Sequence, residues 1–220
     1  MKIALCQVNP ILGNFTYNLN KVNSFYDRAV KAGAELVVFP ELVVCGYPPQ
    51  DLIWESGFTS ECELSIQNLA QASTIPLIAG YIRKDKNRVF NSAAVCSNGE
   101  LLFTYDKILL PTYDVFNEKR YFESGNDIGI FEIYLCGKLR KIGVQICEDL
   151  WDEEYDLKVT DNLAKNGAEV IINISASPFH DKQLSKRRSL IKEKINKNQV
   201  PFVYCNLVGA LDELKFDGSS

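Results

Sequence analysis

The segment Ile142-Gly-Val-Gln-Ile-Cys-Glu-Asp-Leu-Trp151 organises the rest of the chain. It begins as a short apolar run rich in β-branched residues, which is typical of a buried strand, and it stops abruptly at Cys147. Alternation along that strand predicts that Cys147 points with Gly143 and Gln145 to one face, while the β-branched residues share the other. The thiol then stands at the carboxyl end of a strand, where open α/β sheets bind their ligands.

Cys147 has two possible roles. An unpaired cysteine is more often a buried small hydrophobe than a nucleophile. A nucleophile needs a base for its proton and a nearby cation to stabilise the thiolate. Two other predicted strands end on such residues, because Glu41 follows Val-Val-Phe-Pro and Lys107 follows Phe-Thr-Tyr-Asp. A glutamate after a strand is also typical of a solvated or helix-capping acid, and a lysine at a strand end is typical of a surface residue. The spacing of the three residues along the chain therefore does not decide whether they meet in the fold.

Composition limits the class of protein. The chain has 220 residues, is 46% hydrophobic and carries a net charge of -4. These values are typical of one globular domain and exclude a broad basic surface for nucleic acid or an anionic membrane. The apolar stretch at the start of the chain is too short for a signal peptide, and no later run approaches the roughly 18 apolar residues of a membrane span. We therefore expect a soluble cytoplasmic protein with neither kind of partner.

The cysteines and the histidine exclude two further classes of site. Seven cysteines are scattered along the chain without a C-x-x-C pair, so the pattern predicts neither a disulfide framework nor a zinc site. His180 is the single histidine, which excludes a histidine-rich metal site. Any Cys-His mechanism would have to use that residue.

Apolar periodicity and turn residues predict a mixture of β-α-β crossovers and antiparallel hairpins. Helices are predicted over 16–32, 59–72, 157–166 and 182–198, and single strands over 2–8, 35–39, 76–82, 169–174 and 201–206. Hairpins are predicted over 88–105 and 130–146, whereas 108–127 is an irregular segment rich in aromatic residues. The mixture favours a sandwich of sheets and helices over a doubly wound fold, and the irregular segment favours a functional loop.

Three segments resemble the motifs of the nitrilase, or carbon-nitrogen hydrolase, superfamily. They are Phe39-Pro-Glu-Leu-Val-Val-Cys-Gly-Tyr-Pro-Pro-Gln-Asp-Leu52, Tyr105-Asp-Lys-Ile-Leu-Leu-Pro-Thr-Tyr-Asp-Val-Phe-Asn-Glu-Lys-Arg-Tyr-Phe122 and Ile146-Cys-Glu-Asp-Leu-Trp151. Together with 175–180 and 208–220, they are similar more narrowly to the glutaminase domain of glutamine-dependent NAD synthetases. The resemblance covers residues 1–220 and implies a four-layer α-β-β-α sandwich that lacks its last strands.

The resemblance implies a Cys-Glu-Lys triad. Cys147 is the implied nucleophile and Glu41 the implied general base. Lys107 and the backbone N–H of Glu148 would hold the negative charge that develops on the acyl oxygen. Glu118, the second acid of the middle motif, would support the lysine and the substrate amide.

The same resemblance implies further contacts with substrate. Tyr113 matches a tyrosine that contacts the substrate, and Tyr47 and Phe116 match aromatic residues that line the pocket. Ser177 and Arg187 are candidates for binding the α-carboxylate of glutamine, with Arg188 as an equal alternative to Arg187. No metal ligand is implied.

The implied activity is glutamine hydrolysis through a thioester intermediate. The ammonia would serve ATP-dependent amidation of nicotinic acid adenine dinucleotide by a synthetase domain, which would use ATP and Mg²⁺, whereas this domain needs no cofactor. No synthetase motif occurs before Ser220, so we expect a fragment or a shortened protein with a partner domain. Ala210-Leu211 stands where the family tends to have Gly-Gln, which bears on ammonia transfer.

Other interpretations stay open. The superfamily's pairing of sandwiches implies a homo-oligomer. A second possible function is a free-standing nitrilase-type amidase that acts on another small amide. A third is a catalytically silent oligomerisation module.

Overall fold

Two β-sheets form the centre of the molecule in the computed structural model, which describes residues 1–211 and 213–220. The strands are β1 (Ile3–Leu5), β2 (Leu36–Val38), β3 (Leu77–Asp85), β4 (Arg88–Ser97), β5 (Glu100–Asp106), β6 (Ile130–Leu135), β7 (Lys138–Ile146), β8 (Val170–Ser175), β9 (Phe202–Asn206), β10 (Val208–Leu211) and β11 (Leu214–Asp217). The α-helices are α1 (Phe15–Lys31), α2 (Phe58–Ala72), α3 (Val159–Lys165) and α4 (Gln183–Asn198). Asp212, within the last motif, lies outside the described residues.

The first sheet has the order β1-β2-β3-β4-β5 and the second the order β6-β7-β8-β9. Strands joined by helices pair in parallel, and strands joined by tight turns pair antiparallel, as chain geometry requires. Each sheet is therefore mixed. The predicted combination of crossovers and hairpins is confirmed.

The layers follow from which side chains share a core. Leu36 and Val38 of the first sheet pack in one buried cluster with Val144 and Ile172 of the second, so the sheets lie face to face. Val37, between them in sequence, points instead into the cluster that includes helices α1 and α2. On the far side, α3 covers the second sheet through Leu163 and its neighbours, and α4 covers it through Leu190, which packs in one cluster with Tyr204 of β9. The predicted four-layer α-β-β-α sandwich is confirmed.

Strand β7 shows the predicted alternation up to its last residue. Its β-branched residues face the other sheet, whereas a Cβ at Gly143 would contact α3, and Gln145 accepts a hydrogen bond from Thr160 of that helix. The prediction for Cys147 is wrong, because Cys147 joins the buried cluster between the sheets. The physical reason is its left-handed φ of 43°, which ends the alternation.

The hairpin of β10 and β11 was missed because its strands are short and the first contains a glycine. It is held in place by the rest of the fold. Val208 N donates to Val8 O at 3.2 Å, and Phe179 N donates to Lys215 O at 2.6 Å. Among residues 1–211 and 213–220, no helix is long and apolar enough to cross a membrane.

Candidate active site

A buried lysine joins two buried carboxylates between motifs that are far apart in sequence. Lys107 Nζ donates to Glu41 Oε1 at 2.8 Å and to Glu118 Oε1 at 2.9 Å. Tyr47 Oη donates to the same Glu118 oxygen at 2.8 Å. All four side chains are buried, so this cluster accounts for charges that would otherwise be costly to place in the interior.

Strand ends bring these residues together. Glu41 follows β2 and Lys107 follows β5, both in the first sheet, whereas Cys147 follows β7 in the second. Close packing around Glu41 needs a glycine on the neighbouring strand β3. A Cβ added at Gly80 would lie 2.2 Å from the backbone nitrogen of Leu42 and 2.6 Å from Glu41 Cα.

Two further groups hold the Glu41 carboxylate. Asn91 Nδ2 donates to Oε1 at 2.7 Å, and the backbone N–H of Ala176 donates to Oε2 at 2.7 Å. With Lys107, all its partners are donors, which matches an ionised carboxylate that can accept a proton. Sequence reasoning missed Asn91, because an asparagine in mid-strand carries no signal until its partner is known.

Lys107 remains a cation with donor capacity to spare. Burial acts to lower its pKa, but the negative charges of Glu118 and Glu41 outweigh burial and hold that pKa well above its usual value. An ammonium has three N–H groups, and the described part of the chain supplies two acceptors. One N–H is therefore available for a substrate oxygen.

The thiol of Cys147 lies on a sharp turn. The residues Cys147–Leu150 form a single 3-10 turn, and the φ of 43° at Cys147 is uncommon for a residue other than glycine. Burial and the charge of Glu41 raise the pKa of Cys147 well above its usual value, while Lys107 acts in the opposite direction. A thiol in that state has to lose its proton as it attacks, so it needs a base within reach.

Cys147 lines a cavity of about 290 Å³, whereas Glu41 and Lys107 are buried. The cavity walls combine aromatic, aliphatic and polar side chains. They include the predicted residues Tyr113, Phe116, Cys147, Glu148 and Ser177, together with Asp114, Val115, Trp151, Pro178, Phe179, His180, Gln183, Lys186 and Leu214. A concave site with convergent polar groups beside a thiol is a typical small-molecule site.

One wall of the cavity carries a negative charge. Both oxygens of Glu148 accept hydrogen bonds from Tyr113 Oη, at 3.0 and 2.9 Å, and Tyr155 Oη donates to Oε1 at 3.0 Å. Burial raises the pKa of Glu148, and the tyrosine hydroxyls act to lower it. The ring of Phe116 packs edge to face on Tyr113 with their centroids 5.7 Å apart.

A guanidinium lies behind Ser177, another residue of the cavity wall. Arg187 Nη2 is 3.4 Å from Ser177 Oγ and 3.5 Å from Asp217 Oδ1, and the Arg187 side chain is buried. Its Nε has no hydrogen-bond partner among the described residues. Arg188 is exposed and lines a separate surface groove, so the structure brings Arg187 rather than Arg188 to the site.

A second, smaller cavity of about 90 Å³ lies on the other side of the cavity wall. Tyr47 and Glu118 line it, and it shares Val115, Phe116 and Leu214 with the larger cavity. Leu214 belongs to the hairpin that sequence reasoning missed, so its place at the site was missed as well.

The remaining candidates are the single histidine and any group of metal-binding side chains. His180 lines the larger cavity but is exposed, and its Nδ1 lies 2.7 Å from Asp181 O. No group of three or more His, Cys, Asp and Glu side chains is arranged to hold a metal ion in the parts of the chain that the structure describes. The arrangement fits covalent catalysis in which a thiol attacks the carbonyl carbon of an amide or a similar acyl group and displaces its leaving group.

A four-layer sandwich in which Cys147, Glu41 and Lys107 each follow a strand is the arrangement expected of a class of hydrolase. Residues 2–220 match the sequence pattern of the carbon-nitrogen hydrolase family, and the chain belongs to that family. The predicted membership is confirmed.

Individual relatives point to a narrower group within this family. The chain is 39% identical over 223 residues to the glutamine-dependent NAD(+) synthetase of Thermotoga maritima, covering 100% of this chain and 38% of that protein. The structure of a glutamine-dependent NAD+ synthetase from Acinetobacter baumannii superposes with a TM-score of 0.90 at 31% identity, covering 98% of this chain and 40% of that one. The chain thus spans about two fifths of the length of these relatives.

A third comparison concerns the fold alone. An amidase from Nesterenkonia sp. superposes with a TM-score of 0.84 at 22% identity, covering 98% of this chain and 79% of that one. The same sandwich therefore occurs in a protein that is not much longer than this chain.

Proposed function

We propose that this chain hydrolyses the side-chain amide of glutamine and is the ammonia-releasing part of a glutamine-dependent NAD synthetase. The observation that carries the proposal is the ammonium of Lys107, shared by Glu41 and Glu118 in the interior behind a cavity that Cys147 lines. The glutamine-dependent relatives match this chain over its whole length and supply the substrate class.

The first step is attack by Cys147 on the carbonyl carbon of the glutamine side chain. The sulfur forms a C–S bond, the thiol proton passes to Glu41, and the carbonyl π electrons move to oxygen. The free N–H of Lys107 and the backbone N–H of Glu148 hold the resulting oxyanion. Each preorganised donor of this kind contributes about 2.7–4 kcal/mol to lowering the barrier.

The second step releases ammonia. Protonated Glu41 gives its proton to the departing nitrogen, the C–N bond breaks, and a γ-glutamyl thioester remains on Cys147. Glu41 then removes a proton from water, and the hydroxide adds to the thioester carbon. The intermediate collapses with cleavage of the C–S bond, and Glu41 returns its proton to the sulfur, which frees glutamate and restores the thiol.

Charges on two walls of the cavity fit the two ends of an amino acid. Glu148 provides a carboxylate for the α-ammonium group, held in place by Tyr113 and Tyr155. Ser177 also lines the cavity with Arg187 behind it, and these groups suit the α-carboxylate. Tyr113 and Phe116 provide an apolar wall for the methylene groups.

The ammonia requires an acceptor reaction. We propose that a synthetase domain, in the same chain or a partner, uses it to amidate nicotinic acid adenine dinucleotide with ATP and Mg²⁺. The relatives support this assignment, because they are glutamine-dependent NAD synthetases and each is more than twice as long as the matched segment. All seven cysteines are free thiols, which supports a reducing, cytoplasmic location. The homo-oligomer stays a prediction.

Ammonia release from glutamine, measured against a panel of other primary amides, tests the proposal. We expect glutamine to have the highest kcat/KM and Cys147→Ala to abolish turnover while the circular dichroism spectrum is unchanged. Cys136→Ala is the matched control, because Cys136 is exposed on the β6–β7 turn. Preference for another amide would support a free-standing amidase, and no turnover of any amide would support a silent module.

A further inference from the structure

We propose that Asp149 is a positioning residue that holds the turn carrying Cys147 against the segment carrying Lys107. The inference rests on the proposed function, in which the sulfur and the ammonium act on one substrate carbonyl. Asp149 is fully buried and lies two residues after Cys147.

The two oxygens of Asp149 accept hydrogen bonds from different pairs of donors. Oδ1 accepts hydrogen bonds from the backbone N–H groups of Ile108, at 3.2 Å, and Leu109, at 2.9 Å. Oδ2 accepts from the backbone N–H of Ile146 at 2.9 Å and from Tyr105 Oη at 2.8 Å. One carboxylate therefore has four donors.

These donors flank the reacting groups. Ile108 directly follows Lys107, and Ile146 directly precedes Cys147. Lys107 follows a strand of the first sheet and Cys147 a strand of the second, so packing between the sheets alone would leave their ends free to shift relative to one another. The carboxylate of Asp149 joins the two sheets at the place where sulfur and ammonium have to act together.

The same carboxylate maintains the shape of the turn. The bond from Ile146 N to Asp149 Oδ2 closes a loop around Cys147, whose left-handed φ of 43° persists only if the surroundings determine it. Burial raises the pKa of Asp149 to about 6, and the N–H donors and Tyr105 act to lower it. At neutral pH the ionised form can accept all four hydrogen bonds.

An asparagine cannot replace this carboxylate. Its single oxygen could serve either the backbone donors of Ile108 and Leu109 or the pair formed by Ile146 N and Tyr105 Oη, and its NH₂ group would face the other pair. Buried donors that lose their acceptor are costly, so the turn or the lysine segment would move to relieve them. Displacement of a reacting group by about 1 Å can lower a rate by about 100-fold.

The test compares Asp149→Asn with Tyr105→Phe, which removes one donor and leaves the carboxylate joined to both segments. Alkylation by iodoacetamide, in which a C–S bond forms and iodide leaves, measures the Cys147 thiol without glutamine. Peptide mass spectrometry resolves the rate at Cys147 from that at exposed Cys136, which serves as the internal reference. Glutamine kcat and KM and the thermal midpoint are measured on the same samples.

We expect Asp149→Asn to lower kcat by about 100-fold with little change in KM, and to alter the alkylation rate of Cys147 relative to Cys136. Tyr105→Phe should change both rates by less than about tenfold, because three of the four donors remain. The proposal is overturned if folded Asp149→Asn has both a kcat and a Cys147 alkylation rate within about threefold of the wild-type values.

A second variant covers the case in which Asp149→Asn does not fold. Asp149→Glu keeps the charge and both acceptor oxygens but moves them by one methylene, so positioning predicts a drop in kcat of about tenfold or more. Unchanged kcat in that variant also contradicts the proposal. If the wild type is alkylated at Cys147 but releases no ammonia from glutamine, the proposed function fails while the alkylation comparison still tests Asp149.

Discussion

The ammonium of Lys107 lies 2.8 Å from Oε1 of Glu41, a residue 66 positions earlier in the sequence. It also binds Glu118, so one ammonium serves two buried carboxyl groups. Replacing Lys107 by Met should lower the free energy of unfolding by about 3–5 kcal/mol, because it leaves buried carboxylates without a cation. Urea denaturation followed by circular dichroism measures this difference.

Two further variants control this experiment. Lys192→Met removes an exposed lysine and should change the free energy of unfolding by no more than about 0.5 kcal/mol. Lys107→Met combined with Glu118→Gln should recover part of the loss, since the double variant has one buried charge fewer. A double variant that is less stable than Lys107→Met would contradict the electrostatic explanation.

Glu118 should make stability depend on pH. Burial raises its pKa from 4.5 to about 7, although Lys107 acts to lower it. Between these two values the folded state binds more protons than the unfolded state, so the Glu118 contribution to stability falls as pH rises from about 4.5 to about 7. Glu118→Gln removes that contribution and should flatten the profile.

Glu118→Gln is suited to this comparison because Glu118 Oε1 accepts the bonds from both Lys107 and Tyr47. The glutamine oxygen can keep that place, and its NH₂ replaces Oε2, which has no partner among the residues described. The free energy of unfolding is measured from pH 5 to pH 8, with exposed Glu123→Gln as the control. Parallel profiles for wild type and Glu118→Gln would show that Glu118 does not titrate in this range.

Gly80→Ala should displace Glu41. The added Cβ would lie 2.2 Å from a backbone nitrogen, closer than real atoms approach, so the backbone at Glu41 and Leu42 has to move. Overpacking of this kind typically costs about 1–3 kcal/mol, and we expect ammonia release to fall further than stability alone explains.

Gly143→Ala provides the matched control in the other sheet. Its Cβ would meet a side-chain carbon of Ala168 at 3.1 Å, which a small adjustment relieves. Unfolding curves and kcat for the two variants are compared at the same temperature. Equal losses in both would mean that the contact between Gly80 and Glu41 has no special role.

Leu214→Ala should widen substrate specificity. Leu214 lines both the 290 Å³ cavity and the 90 Å³ cavity, so truncation would join them and leave space for a longer substrate. One methylene in an apolar pocket changes kcat/KM by about tenfold or more, so hydrolysis of homoglutamine relative to glutamine should rise by about that factor. Leu139→Ala, at an exposed position of β7, should leave the ratio unchanged.

Local elements of the fold were predictable from sequence. The helix predicted over 16–32 forms at Phe15–Lys31, with Asn14 capping its start and Gly33 in a left-handed conformation just past its end. The hairpin predicted over 130–146 has the predicted strands, β6 and β7. Periodicity and turn chemistry depend on residues a few positions apart, so these elements can be predicted from a single sequence.

Other parts of the site were not predictable because they depend on partners distant in sequence. Asn91 acquires its place from Glu41, and Asp149 from Ile108 and Leu109. Nothing in the sequence around either residue indicates those contacts. Cys147 departed from the predicted alternation because its φ is left-handed, within a turn that the hydrogen bond from Ile146 N to Asp149 Oδ2 closes.

The sequence by itself determined the helices, most strands, the mixed α/β class and the three reactive residue types at strand ends. Its motifs also determined the family, which the comparisons confirm. Only the tertiary structure decided that Lys107 is shared between Glu41 and Glu118, that Arg187 rather than Arg188 lies at the site, and that Leu214 separates two cavities. The reason is physical: hydrogen bonds and ion pairs depend on distances of a few ångströms, and packing of two sheets sets those distances between residues far apart in the chain.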